Sequence, residues 1–494
     1  NSVPETVSGD RLSIYAIALE GWRRGLTVKF YNVKYRKKAI VRYSLSDGEK
    51  EVKFAYSTGP DVTKEAKRIC GNKVLTKEYL EKANVPVPQG KKFSENTSNN
   101  EIIKYVSENI NYPVVVKPSS GKMGRGVIAN ISDETELKNA LNVVRNEFGY
   151  KSVIIEEFIP GEEYRIYVID GKAIAAMNRI PANIIGKGKN TIKELIKIKN
   201  KLRKQIPSVR GRSIKIDQEV LRNLEKYNYT LDSIPEKGER ILLRKNSNVS
   251  SGGDPIDVTD ILPAEVKKVA ENAAKSVPGL VECGVDLIVD SRTNEGKVIE
   301  LNTSVGLAGH LFPLEGKARD IPKALVDYYF PDSTRINSKL YFDFTKITQL
   351  LNSGTVTEVV LPVIQNKPLV VKGLEVGGKV QKVGYRRWVQ RRALFYDLNG
   401  FIENKQNGKV HIVVAGTEDN IKMFEDLIAS DAPRRARVDT IKSFEWDEPI
   451  EAGLQIINNE KTLKKTKKSA SNQAKIVEEN EKITDELNKL KKEY

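Results

Sequence analysis

The amino-acid sequence predicts a multidomain protein of mixed α/β and α+β fold. Its 494 residues provide enough chain for about two to four domains, each with its own core. Residues 10–60 alternate a helical segment with short strands, and an apolar run rich in valine at 113–117 is followed by a glycine-rich loop and a second apolar run. From about residue 461 the chain is charged and poor in aromatic residues, which predicts a helical or disordered tail.

The composition restricts the chemistry that the protein can perform. The chain contains two cysteines and two histidines. Because Cys70 and Cys283 are far apart in the sequence, neither a disulfide framework nor a zinc site is expected, and we predict a reducing, cytoplasmic location. Any chemistry must therefore depend on carboxylates, lysines, arginines and a bound metal ion.

The net charge of +17 raises the question of nucleic-acid binding. No RNA- or DNA-binding motif and no basic stripe with interspersed aromatic residues accompanies this charge, so nucleic acid is not the expected partner. No segment approaches the ~20 apolar residues of a membrane span, and no signal peptide opens the chain. We therefore expect anionic small molecules or peptides as partners and no membrane.

The region before residue 113 carries few motifs. Residues 1–66 are predicted to form a small α/β region, and residues 63–84 have a helical pattern that the proline-containing stretch 85–90 ends. Lys73 and Lys77 are four residues apart, so they share one helical face. The simplest interpretation of the face that Lys73 and Lys77 share is a solvated amphipathic face.

A glycine-rich loop follows the strand that ends in Lys117. Three glycines lie within residues 121–126, and Lys122 and Arg125 stand between them. Glycines let the backbone approach a ligand and point its N–H groups at it, and the basic side chains suit a polyphosphate. The pattern is not a P-loop, because no Gly-Lys-Ser/Thr opens a helix here.

Acidic residues stand inside or at the end of apolar strands. Residues 279–302 are predicted to form a hairpin in which Glu300 and Asn302 face the same way and Asp286 can lie opposite them. Two carboxylates and an amide suit Mg²⁺ held jointly with nucleotide phosphates. A turn-forming role is the alternative for such acids; it fits Asp290 but not Asp286, which lies inside an apolar strand.

The order of these motifs resembles an ATP-grasp carboxylate–amine ligase over about residues 67–332, and is similar to the ATP-grasp parts of cyanophycin synthetase and bifunctional glutathione synthetase. Three longer blocks, residues 179–195, 243–259 and 283–310, carry the same resemblance. It implies an ATP-grasp fold, ATP with Mg²⁺ or Mn²⁺ as cofactors, and amide formation through an acyl-phosphate.

The resemblance also implies roles for individual residues. Lys73 and Lys117 would contact the ATP phosphates under the loop 119–126. Glu156 and the backbone of residues 157 and 159 would hold the adenine, and Glu163 would hold the ribose. The implied ATP-binding residues are Lys73, Lys117, Ser119, Gly121, Gly124, Gly126, Glu156, Glu157, Ile159 and Glu163. The implied metal ligands are Asp286, Glu300 and Asn302. Arg244 would contact the developing acyl-phosphate, and the segment 246–253 would line the substrate side. The implied substrate-side residues are Arg165, Arg179, Asn246, Asn248, Ser251 and Gly252.

A second module is predicted near the C-terminal end. At residues 378–393 a glycine-containing loop leads into a basic helix, an arrangement that presents N–H groups to an anion. The region resembles acylphosphatase over about residues 367–450, which implies a ferredoxin-like βαββαβ fold, Arg386 as the phosphate ligand and Asn404 as the residue that positions the attacking water. Lys382 replaces the glycine that the family prefers, and its side chain would crowd the phosphate or require a conformation that glycine tolerates better.

These patterns divide the chain into five predicted regions. They are an α/β region at 1–66, an ATP-grasp ligase domain at 67–332, a connecting segment with a short strand and a helix at 333–366, an acylphosphatase-like domain at 367–454, and a charged tail at 455–494. The tail contains about two apolar heptads, so a homo-oligomer is an open alternative.

The predicted function is an ATP-dependent ligase that joins a carboxylate to the amine of an amino acid or peptide. The acylphosphatase-like domain would hydrolyse acyl-phosphate or bind an anionic substrate. Two alternatives remain open: an acylphosphatase-type hydrolase with a regulatory ATP-binding domain, and a basic protein that binds an acidic polymer.

Overall fold

A computed structural model describes residues 7–35, 38–120, 126–290, 292–336, 339–364 and 367–457. The chain divides into two compact units. The larger unit contains the chain up to residue 334 together with residues 344–364, and the smaller unit contains residues 335–343 together with the chain that follows the larger unit. None of the helices in the described ranges has the length and apolar character required to cross a membrane.

The described residues form helices and strands throughout both units. The helices are α1 Asp10–Arg23, α2 Lys64–Cys70, α3 Lys73–Lys82, α4 Asn99–Asn109, α5 Glu134–Asn142, α6 Ile192–Arg203, α7 Gln218–Lys226, α8 Ala264–Lys275, α9 Ala308–Leu311, α10 Ile321–Tyr329, α11 Phe344–Asn352, α12 Tyr385–Phe395 and α13 Glu418–Ser430. The strands are β1 Thr27–Tyr35, β2 Lys38–Ser46, β3 Glu51–Phe54, β4 Gly90–Phe93, β5 Val114–Pro118, β6 Ile128–Ile131, β7 Val153–Glu157, β8 Gly161–Ile169, β9 Lys172–Ile180, β10 Asn183–Ile185, β11 Arg240–Leu242, β12 Asp254–Asp257, β13 Glu282–Asp290, β14 Gly296–Asn302, β15 Leu340–Tyr341, β16 Glu358–Val360, β17 Val370–Lys379, β18 Asn399–Asn404, β19 Val410–Gly416, β20 Arg437–Phe444, β21 Ile450–Glu451 and β22 Leu454–Ile457.

The larger unit is built on three sheets of four or five strands. Their strand orders are β16-β1-β2-β3, β4-β7-β5-β6 and β12-β9-β8-β13-β14. A two-stranded ribbon, β10-β11, packs with α6 and α7 around a separate small core. Strands β8, β9, β13 and β14 of the five-stranded sheet carry six of the predicted site residues, namely Glu163, Arg165, Arg179, Asp286, Glu300 and Asn302.

Local sequence signals explain where several of these helices begin. The segment predicted as one helix over 63–84 is two helices, because Asn72 caps α3 by accepting hydrogen bonds from the backbone N–H groups of Val74 and Leu75. This cap sets the start of α3 at Lys73. The helix α6 begins with a capping box in which Thr191 and Glu194 satisfy each other's backbone N–H groups.

The segment between the two predicted domains contributes elements to both units. In the larger unit, β16 pairs with β1 in antiparallel register, with Lys29 opposite Val360. In the smaller unit, β15 pairs with β21 in parallel, with Leu340 opposite Ile450. The predicted helix of this segment is α11, which packs on β1, β2 and β16.

The smaller unit has the βαββαβ order that the sequence predicted. Its elements follow one another as β17, α12, β18, β19, α13 and β20, and the sheet order is β20-β17-β19-β18-β22. The antiparallel order of β17, β18, β19 and β20 buries one apolar face of the sheet under α12 and α13. The predicted fold class of alternating α/β and α+β domains is therefore confirmed, whereas the residues of the predicted tail after 457 lie outside the described ranges.

Candidate active site

Three lysines and two glutamates line one cleft of the larger unit. Lys73 and Lys77 come from the first half of α3, and Lys117 comes from the end of β5. Glu156 on β7 and Glu300 on β14 complete the polar lining. The remaining wall is formed by Cys70, Thr76, Leu80, Val87, Pro88, Val298 and Ile299. A cleft that combines an apolar wall with several cations suits a nucleotide polyphosphate.

Each cation of the cleft has a fixed partner. Lys117 forms an ion pair with Glu156, and the Nζ atom of Lys73 lies 3.0 Å from Oε1 of Glu300. Lys77 donates to the backbone carbonyls of Pro88, at 2.6 Å, and Gly90, at 3.2 Å. The sequence-based interpretation of Lys77 as a solvated residue was therefore wrong. Its helix face covers the cleft, because α3 packs against β14.

The predicted metal ligands lie on one face of two neighbouring strands. Asp286 on β13 is directly opposite Glu300 on β14, and Asn302 is opposite Gly284 in the same register. The amide of Asn302 donates to Oδ2 of Asp286 at 3.3 Å. On the other side of β13, Arg165 of β8 is directly opposite Asp286, so Arg165, Asp286 and Glu300 form a row across three strands.

Arginines neutralise the buried carboxylate at the centre of this row. Arg165 binds Asp286 through two hydrogen bonds of 2.7 Å, and Arg179 adds a third at 3.1 Å. Burial alone would raise the pKa of Asp286, but Arg165 and Arg179 outweigh burial and lower that pKa below its usual value. The carboxylate is therefore ionised, and the two arginines bind both of its oxygens.

The donor set fits a hard divalent cation bound together with a nucleotide. Among the described residues, no group of three or more histidines, cysteines, aspartates and glutamates is placed to hold a metal ion. Asp286, Glu300 and Asn302 offer oxygen atoms, which Mg²⁺ prefers, and Mg²⁺ is commonly bound by one or two carboxylates together with substrate phosphates. The row therefore suits a metal ion whose remaining ligands come from ATP.

The predicted ribose ligand is connected to the predicted substrate loop. Glu163 on β8 forms an ion pair with Arg179 and accepts a hydrogen bond from the hydroxyl of Ser247. Ser247 belongs to the loop 246–253, in which the hydroxyl of Ser251 donates to Oδ1 of Asn246 at 2.6 Å. Gly252 ends a short 3₁₀ turn that follows Asn248, and it does so with a φ of 106°.

Ser247 lies inside the segment 246–253 that was predicted to line the substrate side, but it was not singled out within that segment. A serine inside a serine- and asparagine-rich loop carries no periodic signal that separates it from its neighbours Asn248 and Ser251.

The predicted adenine-side residues lie at the end of β7 and in the turn that follows it. The backbone N–H of Glu157 donates to the carbonyl of Gln89 at 2.8 Å, and its carboxylate accepts from Lys297 at 2.8 Å. Ile159 is buried, and the backbone N–H of Ser119 donates to the carbonyl of Ser152 at 3.1 Å. Gly126 has a φ of 77°, whereas Gly121 and Gly124 lie outside the described residues.

Arg244 occupies a different position from the metal-ligand row. It forms ion pairs with Asp217 and Glu219, the residues at the start of α7. Asn246 also approaches Glu219, at 3.5 Å. The predicted acyl-phosphate ligand is therefore held by acids of the α6–α7 region, and its predicted role requires that it exchange these partners for substrate.

His310 lies near the arginines but is unsuited to proton transfer at neutral pH. Its side chain is buried, and burial, reinforced by the charge of Arg165, lowers its pKa to about 3. The imidazole is therefore neutral, and the ionisable chemistry near the row depends on carboxylates and guanidinium groups.

The smaller unit places its predicted residues at the start of α12 and along β18. Arg386 is the second residue of α12 and donates to the carbonyl of Ile457 at 3.1 Å. Asn404 ends β18. Lys382 has a φ of 62°, the left-handed conformation that glycine adopts more readily, so the expectation of a glycine-like conformation at this position is met. Gln381 fixes the same loop by donating to the carbonyls of residues 405 and 409 at 2.9 and 2.8 Å.

Comparisons with known proteins agree with both parts of this geometry. Residues 71–182 match the family of the phosphoribosylglycinamide synthetase ATP-grasp (A) domain, and residues 372–456 match the acylphosphatase family. The chain is 34% identical over 335 residues to the glutathione biosynthesis bifunctional protein GshAB of Clostridium perfringens, an alignment that covers 65% of this chain and 41% of the relative. It is 35% identical over 280 residues to cyanophycin synthetase of Crocosphaera subtropica, with 54% of this chain and 31% of the relative covered.

The chain thus spans less than half the length of the curated relatives it matches. A solved structure of a bifunctional glutathione synthetase from Pasteurella multocida is 29% identical and aligns with a TM-score of 0.46 over 59% of this chain and 41% of its own. The sequence matches confirm the two resemblances found in the sequence: the chain combines an ATP-grasp domain, similar to those of glutathione and cyanophycin synthetases, with an acylphosphatase-like domain.

Proposed function

We propose that this protein is an ATP-dependent ligase that forms an amide bond between a carboxylate and an amine through an acyl-phosphate. The single observation that carries the proposal is the row of Arg165, Asp286 and Glu300 across three strands, one of whose members also lines the lysine-rich cleft. The proposed ligase domain covers residues 67–332, and we place the protein in the cytoplasm, where ATP is abundant.

The proposed roles follow from charge. Lys73, Lys77 and Lys117 bind the phosphates of ATP, and Asp286, Glu300 and Asn302 hold Mg²⁺, or Mn²⁺ in its place. The metal ion neutralises phosphate charge when it is bound. Attack of a carboxylate on the γ-phosphate brings two anions together, so neutralisation and positioning supply most of the catalysis.

The proposed reaction has two steps. A carboxylate oxygen of the acid attacks the γ-phosphorus, the bond to the bridging oxygen breaks, and ADP leaves with the electron pair. The amine then attacks the acyl carbon, phosphate leaves, and the nitrogen releases a proton. Arg165 and Arg179, which neutralise Asp286 in this structure, can turn to the substrate carboxylate and acyl-phosphate once a cation replaces them.

The proposed substrates are an acid and an amine of the amino acid or peptide class. Relatives named as a glutathione biosynthesis protein and a cyanophycin synthetase support this class. The remaining residues have the roles that the resemblance implied. The proposed ATP ligands are Ser119, Gly126, Glu156, Glu157, Ile159 and Glu163, and the proposed substrate-side residues are Arg244, Asn246, Asn248, Ser251 and Gly252.

For the smaller unit we propose that it discharges acyl-phosphate that escapes the ligase site. The bound acyl-phosphate would lie against Arg386 at the N-terminal end of α12, with Asn404 positioning the attacking water. If so, Arg386→Ala lowers the amount of inorganic phosphate released without amide formed, and acyl-phosphate accumulates in its place. Arg391→Ala, which changes an exposed arginine of the same helix, leaves both amounts unchanged. Equal phosphate release without amide in the unmodified protein and both variants would contradict this role.

The ligase proposal is tested by ADP release with ATP, Mg²⁺ and a panel of acids and amines. The panel comprises free amino acids, γ-glutamyl and other short peptides, and acidic polymers. We expect ADP release only with a matching acid and amine. In the Asp286→Ala, Glu300→Ala double variant, the rate of ADP release should fall by at least about a hundredfold. The control is Glu295→Ala, which removes an exposed acid from the turn of the same hairpin. Amide formation that survives the double variant would overturn the proposal.

A further inference from the structure

A large part of the positive charge of this protein lies in one short region. Residues 183–245, between β9 and β12, contain 17 lysines and arginines and 7 aspartates and glutamates, a net charge of +10 out of +17 for the whole chain. The region forms β10, α6, α7 and β11 around its own core. Like charges raise the energy of a compact state unless a partner or solvent compensates them, so this concentration requires an explanation.

One face of α6 fixes the end of the substrate loop. Arg203 is 1% exposed and donates to Asp254 at 2.7 Å and to the carbonyl of Gly253 at 3.3 Å. Lys199, one turn earlier, lies 2.5 Å from the same aspartate. Because Gly253 ends the loop 246–253 whose Ser247 binds Glu163, the inner face of α6 is joined directly to the proposed active site.

The opposite face of α6 is basic. Lys193, Lys197 and Lys201 follow one another at intervals of four residues, are exposed, and make no ion pair with any described residue. Ile198 and Leu202 run beside them and are 44% and 39% exposed. The one acid among these residues, Glu194, is engaged in the capping box with Thr191 at the start of the helix.

We propose that this outer face of α6, the lysine ridge of Lys193, Lys197 and Lys201, docks an acidic peptide chain whose end is ligated in the active site. The proposal rests on the proposed ligase function and names the substrate class for it. Residues four apart on a helix are separated by about 6 Å, and alternate side chains of an extended peptide by about 6.6 Å. Three lysines can therefore meet three carboxylates on one side of an extended acidic chain.

The ridge spans about 12 Å, which is too long for one amino acid and suits several consecutive residues. Ile198 and Leu202 offer apolar surface to the methylene groups of glutamate side chains. A single-stranded nucleic acid has a similar charge spacing, but its binding sites usually provide aromatic side chains on which bases stack. The sequence of α6 contains no aromatic residue, which favours the peptide.

The test is direct binding, measured without ATP. A fluorescein-labelled peptide of about eight glutamates is titrated with the whole protein, and anisotropy is recorded at low salt and at about 0.15 M salt. We expect the triple variant K193Q/K197Q/K201Q to bind about tenfold more weakly, since each exposed lysine–carboxylate pair contributes modestly. The matched control K64Q/K92Q/K172Q removes three exposed lysines that lie outside residues 183–245 and make no ion pair with a described residue, and its binding should change less than about threefold.

Each alternative result has a definite meaning. Equal weakening in both triple variants would show that net charge alone binds the peptide and would overturn the ridge. If a single-stranded oligonucleotide of matched charge binds more tightly than the peptide, and its binding depends on the three lysines, the ligand of the ridge is nucleic acid and the peptide proposal is wrong. Absence of peptide binding would also overturn the proposal. Because ATP is absent, ridge-dependent peptide binding would stand even if no acid–amine pair released ADP, so failure of the ligase proposal is recognised separately.

Discussion

Asp286 is the residue on which most of the polar network converges. Arg165, Arg179 and Asn302 all donate to it. Removing one partner of a buried ion pair leaves the others without compensation, which costs more than the pair itself contributes. The residue therefore has two functions, as a proposed metal ligand and as the counter-charge of two arginines.

This double function predicts that Asp286→Ala is destabilising as well as inactive. We expect the free energy of unfolding of the larger unit to fall by about 3 kcal/mol, as measured by urea denaturation. The control is Asp260→Ala, which breaks exposed pairs with Lys317 and Arg319 and should cost no more than about 1 kcal/mol. A variant at Asp286 as stable as the unmodified protein would show that the arginines do not depend on it.

Glu282 is a buried carboxyl group outside the active site, and its protonation should control stability. It is 2% exposed, and the backbone N–H of Gly59 donates to its Oε1 at 2.5 Å. Burial raises the pKa of Glu282 from its usual 4.5 to about 8, although the Gly59 hydrogen bond acts in the opposite direction. The folded protein therefore holds a proton that the unfolded chain has lost between these two pH values.

The sign of the pH dependence follows from this proton. The contribution of Glu282 is complete below pH 4.5, the usual value, and is lost as pH rises towards and through about 8. Glu282→Gln should flatten this dependence. The free energy of unfolding of the variant, relative to that of the unmodified protein, should be higher at pH 9.5 than at pH 4 by up to about 4 kcal/mol. Glu265→Gln, which changes an exposed acid in the first turn of α8, serves as the control. Parallel stability curves for the two proteins would contradict the buried proton.

At the scale of elements, local patterns were predictable from the sequence and distant pairings were not. The hairpin β13–β14 was predicted, including the common face of Asp286, Glu300 and Asn302, because side chains alternate along a strand and the turn is short. The pairing of β16 with β1 joins residues more than 300 positions apart, and strand periodicity carries no information about such a partner. Strand periodicity likewise carries no information about the contact of Ser247 with Glu163.

In the loop before α12, the sequence did reveal a departure from the acylphosphatase pattern, namely Lys382 in place of glycine. Lys382 has a φ of 62°, and a non-glycine residue in this conformation costs about 1 kcal/mol relative to glycine. Lys382→Gly should therefore stabilise the smaller unit by about this amount and leave the helix start at Gly384 unchanged.

The measurement is chemical denaturation of the smaller unit, followed by the fluorescence of Trp388 and Trp446. The control is Lys442→Gly in β20, an exposed position opposite Glu375 in the regular part of the β17–β20 pairing, where glycine should instead destabilise by about 0.5–1 kcal/mol. If both substitutions destabilise alike, the Lys382 conformation is not a source of strain. Acyl-phosphate hydrolysis measured on the same proteins would show whether the lysine also limits access to the anion site.

At the scale of the whole molecule, the two units have separate apolar cores. The core of the larger unit includes residues from α2, α8, β8, β13 and β14, whereas that of the smaller unit is made by β17, β18, β19, α12 and α13. The chain passes from the larger unit to the smaller at residue 335, returns at 344 and leaves again after 364. The sequence indicated two modules through their motifs, but it did not reveal this exchange, because β15 and β16 are only two and three residues long.

Separate cores predict separate unfolding. Differential scanning calorimetry should show two transitions, each assigned by a substitution that acts on one unit: Glu282→Gln at pH 9.5 should raise the transition of the larger unit, and Lys382→Gly that of the smaller. ATP with Mg²⁺ at about a hundredfold its dissociation constant should stabilise the larger unit by about 2.7 kcal/mol and leave the other transition in place. The nucleotide effect should vanish in the Asp286→Ala, Glu300→Ala double variant if these residues hold the metal–nucleotide complex. A single transition that all three changes move together would show instead that the units unfold as one cooperative body.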